Sequence, residues 1–358
     1  MLVQNVKLES ATVLVTGAAG FIGSNLVKRL FKDVKNIHVV GIDNMNDYYD
    51  VNIKKERLNE IELLIGNESG KWNFVEGNIA DKALIDSIFE KFHFSVVVNL
   101  AAQAGVRYSI TNPQAYIESN LIGFYNILEA CRHYPVEHLV YASSSSVYGS
   151  NKKVPYSTDD KVDNPVSLYA ATKKSNELMA HAYSKLYNIP STGLRFFTVY
   201  GPAGRPDMAY FGFTNKLREG KTIQIFNYGH CKRDFTFVDD IVEGVVRIMQ
   251  HAPEKNLGED GLPIPPYKVY NIGNNSPENL LDFVQILQEE LTRAGVLPAD
   301  YDFEAHKELV PMQPGDVPVT YADTTPLEQD FGFKPSTPLR QGLRSFAEWY
   351  ARYYGSAK

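Results

Sequence analysis

An alternation of strand-like and helix-like segments sets the fold class of this chain. Short apolar runs rich in β-branched residues recur through the first two hundred residues, separated by stretches whose apolar residues follow three- and four-residue spacing. The predicted strands are TVLVT (12–16), HVVGI (38–42), WNFVEG (72–77), SVVVNL (95–100), HLVYAS (138–143) and STGLRFF (191–197). Runs with so little polar alternation indicate strands buried on both faces. The pattern therefore predicts an α/β fold with a doubly wound parallel sheet.

The sequence changes character after residue 200, where turn-forming residues become frequent. They occur in GPAGRPD, GLPIPPY, MQPGD and KPSTP, and two helical segments, SPENLLDFVQILQEELTRAG and TPLRQGLRSFAEWYARYY, lie among them. A later run, KVYNIG (268–273), has the pattern of one more strand that returns to the first sheet. We therefore expect a first domain over 1–200, completed by that strand, and a smaller C-terminal α/β lobe over 201–358.

Composition and charge exclude several kinds of function. The chain has 358 residues, a formal net charge of −6 and two cysteines, Cys131 and Cys231. A net negative charge argues against a surface for nucleic acid or for an anionic membrane. Two cysteines supply neither a disulfide framework nor a metal-ligand cluster, and no apolar run approaches the length of a membrane span. We expect a cytoplasmic protein that binds no metal, no nucleic acid and no membrane.

Three glycines lie between the first predicted strand and the first predicted helix, in TVLVTGAAGFIGSNLV. Gly17, Gly20 and Gly23 permit a tight turn and let backbone N–H groups approach a pyrophosphate at the helix N-terminus. Asp43 ends the second strand twenty residues later. A carboxylate there accepts hydrogen bonds from the adenine ribose hydroxyls and repels a 2′-phosphate. These residues predict a Rossmann-type site that binds NAD rather than NADP.

A tyrosine and a lysine follow at helical spacing in SLYAATKKSNELMAHAY. Tyr169 and Lys173 are four residues apart, so both side chains lie on one helical face. An ammonium group beside a phenol favours the phenolate, and a positively charged nicotinamide acts in the same sense. Tyrosine then becomes a usable base near neutral pH. Four serines, Ser143 to Ser146, end a preceding strand, at the edge where α/β proteins bind their ligands.

Together these motifs carry a resemblance to a known superfamily. GAAGFIG, NLAAQAGVRYS, SSSSVYG, YAATK, LRFFTVYGP and RDFTFVDD resemble the extended short-chain dehydrogenases/reductases, and among them the nucleotide-sugar epimerases. The match runs over nearly the whole chain. MQPGDVPVTYAD, QAGVRYS and GPAGRPDMA are most similar to UDP-glucuronate 4-epimerases of the bacterial capsule type.

The resemblance implies a role for each residue near the serines. Tyr169 would be the catalytic base, with Lys173 as its electrostatic partner and a ligand of the nicotinamide ribose. Ser144 would hydrogen-bond the reacting sugar hydroxyl, and Ser145 and Ser146 would face the sugar, whereas Ser143 would cap the strand. Related dehydratases and decarboxylases have carboxylic acids where this chain has Ser145 and Ser146. Without such an acid, epimerisation is the reaction that the serines favour.

The resemblance also implies where the two nucleotides bind. Arg233 would hold the phosphates of UDP, with Arg107 as a further cation near them. Gln224 and Phe226 match the strand that receives the uracil, and Asp316 matches the residue that holds the uridine ribose. The expected NAD contacts are Gly17, Gly20, Phe21, Ile22, Gly23, Asp43, Asn78, Ile79, Leu100, Ala101, Ala102, Asn120, Tyr169, Lys173 and Phe196.

Three residues bear on the group at C6 of the sugar. Thr198 stands where UDP-galactose 4-epimerases often have asparagine, and Arg205 lies on a loop where it can meet a carboxylate. Ala203 replaces the tryptophan common in glucuronate enzymes and leaves more room there. The features in sum predict an NAD-dependent enzyme that inverts C4 of a UDP-sugar through a 4-keto intermediate, with UDP-glucuronate as the first choice.

Other interpretations stay open at this stage. UDP-glucose or UDP-N-acetylglucosamine is an alternative substrate. A dinucleotide sensor without turnover belongs to a different class, and the set of Ser144, Tyr169 and Lys173 argues against it because a sensor needs no base. In this superfamily the helices around 114–132 and 168–187 form a dimer interface. A homodimer is therefore expected.

Overall fold

The computed structural model describes residues 1–65, 70–312 and 317–355. The strands within these ranges are β1 (Thr12–Thr16), β2 (His38–Asp43), β3 (Lys71–Glu76), β4 (Val96–Asn99), β5 (His138–Ser144), β6 (Ser191–Phe196), β7 (Thr198–Tyr200), β8 (Ile223–Ile225), β9 (Lys232–Phe237), β10 (Asn256–Leu257), β11 (Pro263–Ile264), β12 (Tyr267–Ile272), β13 (Pro277–Asn279) and β14 (Lys307–Leu309).

The α-helices in the same ranges alternate with these strands. They are α1 (Phe21–Asp33), α2 (Val51–Ile65), α3 (Lys82–Phe92), α4 (Tyr108–Thr111), α5 (Pro113–Tyr116), α6 (Gly123–His133), α7 (Leu168–Tyr187), α8 (Ala209–Arg218), α9 (Val238–Met249), α10 (Leu280–Arg293), α11 (Thr325–Phe331) and α12 (Leu339–Tyr354). A π-helical turn, Ile117–Ile122, joins α5 to α6, and a 3₁₀ turn, Ser145–Tyr148, follows β5.

A seven-stranded parallel sheet forms the centre of the molecule. Its order is β12-β6-β5-β4-β1-β2-β3, and every neighbouring pair is parallel. The predicted doubly wound α/β fold is thereby confirmed. The returning strand also forms, since residues 267–272 pair with β6 at the edge of the sheet.

Successive residues of the central strands contribute to two different cores. Val13 and Val15 of β1 pack in one core with α1 and α9, whereas Leu14 packs in the other with α3 and α6. Side chains alternate between the faces of a strand, so a strand covered by helices on both faces needs apolar residues at consecutive positions. This arrangement explains the unbroken apolar runs of the sequence.

The segments after β6 build smaller sheets beside the carboxyl ends of the central strands. β7, β9 and β13 form a three-stranded sheet in the order β13-β9-β7, while β8 pairs with β14 and β10 with β11. Helices α10 and α12 pack together in this part of the chain. In contrast, α9 packs against α1, so the chain returns to the central sheet twice, through α9 and through β12. Among the helices of the described ranges, none combines the length and the apolar composition that crossing a bilayer requires.

Candidate active site

A cleft with an open volume of about 1370 Å³ runs along the carboxyl ends of the central strands. Most of the residues predicted to bind NAD meet in it, together with the predicted catalytic residues and one predicted sugar ligand. Those that line the cleft are Gly17, Gly20, Phe21, Ile22, Gly23, Asp43, Asn78, Ile79, Leu100, Ala101, Ala102, Ser144, Tyr169, Lys173, Phe196 and Arg205. The carboxyl edge of a doubly wound sheet is the usual ligand site in this class of fold.

The glycine turn after β1 leaves no room for side chains. Gly17 has a φ of +70°, and a Cβ there would lie 2.9 Å from the backbone nitrogen of Ala101. A Cβ on Gly23, in the first turn of α1, would collide with the carbonyl oxygen of Gly17. All three glycines also line the cleft, at the N-terminus of α1, and this position fits a pyrophosphate.

The carboxylate of Asp43 lies at the end of β2 and faces the same turn. It accepts hydrogen bonds from the backbone nitrogens of Ala19, at 3.2 Å, and Met45, at 2.9 Å. Lys54 of α2 brings its ammonium nitrogen within 3.8 Å of the carboxylate, and burial lowers the pKa of this lysine. Asp43 is thus fixed at the place where the ribose of a dinucleotide would lie.

Asn120 is the predicted NAD ligand that the structure places elsewhere. It is buried in the π-helical turn and does not line the cleft. Its side-chain amide donates to the carbonyl oxygen of Gln103 and to the Thr172 hydroxyl, both at 3.0 Å, and accepts from the Gln103 backbone nitrogen at 2.8 Å. Asn120 therefore connects the loop after β4 to helix α7, and its side-chain groups are already bonded within the protein.

The hydroxyls of the serine run point to different partners. Ser143 donates to the carboxylate of Glu177 at 2.7 Å, so the prediction that Ser143 caps the strand was wrong. Ser144 accepts a hydrogen bond from the backbone nitrogen of Ser146 at 3.1 Å and begins the 3₁₀ turn. Ser145 and Ser146 lie half-buried in that turn, outside the lining of the cleft.

Tyr169 and Ser144 both line the cleft, and the Ser144 hydroxyl lies near the phenol. Burial raises the pKa of Tyr169, and Ser144 and the charge of Arg205 lower this pKa only in part, so it remains above its usual value. Lys173 donates to the carbonyl oxygen of Ala142 at 2.9 Å, and burial lowers its pKa to about 8. The charge of Arg205 acts on the phenol in this structure, and the role of Lys173 as the electrostatic partner of Tyr169 stays a prediction.

A buried ion pair lies behind this site. Glu177, one turn beyond Lys173 on α7, accepts two hydrogen bonds from Arg195 of β6, at 2.8 and 2.9 Å. Arg195 also donates to the Tyr148 hydroxyl at 3.0 Å, and that hydroxyl donates to Asn271 of β12 at 2.7 Å. The network connects the catalytic helix, the serine turn and two strands of the sheet.

Arg205 lies in the cleft with an acidic partner. Its Nε and Nη2 atoms donate to the two carboxylate oxygens of Asp207, at 3.0 and 2.5 Å. The Tyr48 hydroxyl donates to the same carboxylate at 3.2 Å. The predicted cation for the sugar is thus present, but it is held by a residue that the sequence analysis had not selected.

The other described residues that were predicted to bind the substrate do not line this cleft. The guanidinium carbon of Arg107 is 5.3 Å from the centre of the Phe226 ring, so these two residues form one cation–π pair. Gln224 donates to Glu308 at 3.3 Å, and Arg233 donates to the carbonyl oxygens of residues 232 and 318. Thr198 is half-buried at the start of β7. Asp316 lies outside the described residues.

Several residues of the cleft were missed by the sequence analysis. Tyr48 and Lys54 line it, and the fully buried Arg57 lies beside it, donating to the carbonyl oxygens of Ala19, Ala203 and Gly204. Lys54 and Arg57 belong to the run KKER, in which only the first and last side chains are buried. Runs of charged residues are mostly solvent-exposed, so the sequence KKER alone gives little indication that Lys54 and Arg57 are buried at the cleft.

Comparison with known proteins gives a consistent result. Protein CapI of Staphylococcus aureus is 51% identical over 348 residues, covering 96% of this chain and 99% of that protein. UDP-glucuronate 4-epimerase 4 of Arabidopsis thaliana is 46% identical over 354 residues, 97% of this chain and 77% of that protein. The crystal structure of UDP-glucuronic acid 4-epimerase from Bacillus cereus, in complex with UDP-glucuronic acid and NAD, has 32% identity and a TM-score of 0.80, covering 96% of this chain and 100% of that one.

The match to a family model covers both the glycine turn and the returning strand. It extends over residues 13–273. The resemblance predicted from the motifs is thereby confirmed, and so is NAD as the cofactor. That the glycine turn and Asp43 bind it stays a prediction. The chain belongs to the NAD dependent epimerase/dehydratase family.

Proposed function

We propose that this protein is an NAD-dependent UDP-sugar 4-epimerase that interconverts UDP-glucuronate and UDP-galacturonate. The observation that carries the proposal is that Ser144, Tyr169 and Arg205 line one cleft together with the residues expected to bind the dinucleotide. A base, its hydroxyl partner and a cation for a carboxylate are thus adjacent. The names of the Arabidopsis and Bacillus cereus relatives support the same substrate.

In the proposed mechanism, Tyr169 removes the proton of the sugar 4-hydroxyl while Ser144 hydrogen-bonds that oxygen. NAD, when bound, would accept the hydride from C4 of the sugar and later return it to C4, so the cofactor would be regenerated. The buried Lys173 would hold the nicotinamide ribose. Its pKa is lowered to about 8, so its amine would still be protonated at neutral pH. After this oxidation the 4-keto sugar would turn its opposite face towards the nicotinamide. Hydride return to that face and protonation of the C4 oxygen by Tyr169 would complete the inversion.

The remaining substrate assignments are part of the same proposal. Ser145, Ser146 and Thr198 would bind the C6 carboxylate together with Arg205. The resemblance assigns Arg107 to the phosphates and Phe226 to the uracil, and the cation–π contact between the two residues supports one common site for UDP. The rest of the proposed UDP site comprises Gln224, Arg233 and Asp316. The segments after residue 200 would thus supply most of the sugar-nucleotide contacts, and residues 1–200 most of the NAD contacts.

The test compares three substrates on the purified protein. UDP-glucuronate, UDP-glucose and UDP-N-acetylglucosamine are supplied in turn, and the C4 epimers are separated by chromatography. A site that hydrogen-bonds a charged group strongly rejects an analogue that lacks it. We expect kcat/KM to favour UDP-glucuronate by at least about a hundredfold. Arg205→Ala should narrow this difference, and Arg293→Ala, a change of an exposed arginine at the end of α10, should leave it unchanged.

The outcomes separate the three interpretations. Equal or faster turnover of a neutral sugar contradicts glucuronate as the substrate and retains the epimerase. Binding of NAD without turnover of any UDP-sugar contradicts the epimerase and favours a dinucleotide sensor.

We further propose that the protein is a cytoplasmic homodimer. Helices α6 and α7 expose large apolar side chains, among them Tyr125, Leu178 and Leu186, and such clustered exposure is typical of a protein interface. Leu178→Asp should convert the dimer to a monomer in light scattering coupled to gel filtration. Leu63→Asp is the matched control, because Leu63 of α2 is exposed to a similar extent, 67% against 61%. A wild-type monomer contradicts the proposal.

A further inference from the structure

The carboxylate of Asp207 joins two loops at the cleft. Tyr48 belongs to the loop that follows Asp43 at the end of β2, and Arg205 and Asp207 belong to the loop between β7 and α8. Asp207 receives three hydrogen bonds, two from Arg205 and one from Tyr48. The loop next to Asp43 and the loop that carries Arg205 are therefore joined through a single acidic side chain.

The charge state of this cluster is well defined. Burial raises the pKa of Asp207, but the charge and hydrogen bonds of Arg205 outweigh burial and hold this pKa below its usual value. Burial and the charge of Asp207 raise the pKa of Tyr48 to about 12. At neutral pH Asp207 is therefore an anion that receives bonds from a cation and from a neutral phenol.

The surroundings leave the cluster little freedom. A Cβ on Gly105 would lie 2.9 Å from the Tyr48 hydroxyl and 3.8 Å from the Asp207 carboxylate, so a third loop packs closely against it. Arg57 anchors the loop below, because it donates to the carbonyl oxygens of Ala203 and Gly204. Because these bonds fix the backbone before Arg205, only the side-chain torsions of Arg205 and its contact with Asp207 set the direction of the guanidinium.

Asp207 occupies only one edge of the guanidinium. A guanidinium has five N–H donors in a planar fork, and the pair with Asp207 uses Nε and Nη2. The Nη1 edge is left for a second anion. Arg205 is also near enough to Tyr169 to lower the pKa of its phenol, and in a hexuronate the C6 carboxylate is only two bonds away from C4, where Tyr169 would act.

We propose that Asp207 is a positioning residue that sets substrate specificity: it holds Arg205 by one edge and so directs the other edge towards the C6 carboxylate of the sugar. This inference rests on the proposed function. It assigns Asp207 no contact with the substrate. Recognition of the sugar carboxylate would then depend on the carboxylate of Asp207. Because Tyr48 donates to Asp207, the loop that follows Asp43 would contribute to this recognition.

The measured quantity is the ratio of kcat/KM for UDP-glucuronate to kcat/KM for UDP-glucose, which would not change if Asp207 were merely structural. For each variant, kcat/KM is measured with UDP-glucuronate and with UDP-glucose. Asp207→Asn keeps the shape of the side chain and removes its charge, so Arg205 loses its orientation. We expect the glucuronate-to-glucose ratio to fall by about tenfold or more, with turnover of UDP-glucose changed by less than about threefold. Asp33→Asn, which alters an exposed acid paired with Arg29 on α1, should leave the ratio unchanged.

Failure of the inference differs from failure of the proposed function. A wild-type enzyme without preference for UDP-glucuronate refutes the proposed function, and the inference with it. A wild-type preference that Asp207→Asn leaves intact, or an equal loss with both sugars, refutes the inference alone. If Asp207→Asn does not fold, Tyr48→Phe removes only the hydroxyl that donates to Asp207 and should lower the ratio about threefold. An unchanged ratio in that variant also refutes the inference.

Discussion

Replacing Glu177 by glutamine should destabilise the protein strongly although the shape of the side chain is kept. Glu177 accepts hydrogen bonds from Ser143, Lys174 and twice from Arg195, at 2.7 to 3.2 Å. The side chains of Glu177 and Arg195 are only 2% and 3% exposed. Glutamine would leave the guanidinium of Arg195 buried without an anion. Removing one partner of a buried ion pair costs about 3–5 kcal/mol, and we expect a loss in that range.

An exposed ion pair provides the matched control. Lys82 and Asp86 on α3 are paired at i and i+4, with side chains 51% and 41% exposed. Solvent screens an exposed pair of this kind, so it adds little to stability. Asp86→Asn, the same carboxylate-to-amide change, should therefore lower the free energy of unfolding much less than Glu177→Gln.

The assay is urea denaturation of the NAD-free protein at several pH values. Burial raises the pKa of Glu177, but Arg195 outweighs it, and the pKa lies below 4.5. The stabilisation by this carboxylate is therefore fully present above pH 4.5 and is lost as the pH falls through the lowered value. The difference between wild type and Glu177→Gln should shrink in the same range. A loss below about 1 kcal/mol at neutral pH, comparable to a surface pair, would refute the reasoning.

Three further predictions concern the cleft. Tyr169→Phe should lower turnover by on the order of a hundredfold or more while calorimetry shows unchanged binding of NAD and UDP-sugar; near-normal turnover rules out Tyr169 as the base. Protein stripped of cofactor should bind NAD much more tightly than NADP because of Asp43, and equal affinities in calorimetry count against that role. Burial lowers the pKa of Lys173 to about 8 from 10.5, so the folded state binds fewer protons than the unfolded state between these values. Stability relative to Lys173→Met, measured by denaturation, should therefore rise from pH 8 to pH 10.5, and a constant difference contradicts the shift.

The sequence predicted the central sheet well because its strands are buried on both faces. β1 was predicted at its observed bounds, and each of the other predicted strands of the sheet differs from the observed one by at most one residue at either end. An unbroken apolar run bounded by glycine, aspartate or serine is a local signal, and a parallel sheet between two helical layers leaves few alternatives for it. The glycine turn and Asp43 could be located from the sequence because they directly follow or end such apolar runs.

Residues whose role depends on distant partners were not predictable in this way. The four serines are chemically alike, and only the three-dimensional structure shows that Ser143 faces Glu177 whereas Ser144 faces Tyr169. Lys54 is a charged residue in a polar stretch, where solvent exposure is the usual expectation, yet it is buried and lines the cleft. Asp207 does not line the cleft, and its contacts with Arg205 and Tyr48 depend on how separate loops pack together. No local pattern encodes that packing.

The edge strand β12 has a consequence for synthesis of the protein. β12 completes the sheet beside β6, yet residues 197–266 separate the two strands in the chain. Until residue 272 has left the ribosome, β6, whose six residues are all buried in the folded protein, has one edge without its neighbour. An open apolar edge of this kind pairs readily with other chains. The nascent chain therefore passes through a stage in which a chaperone that covers this edge would determine how much of the protein escapes aggregation.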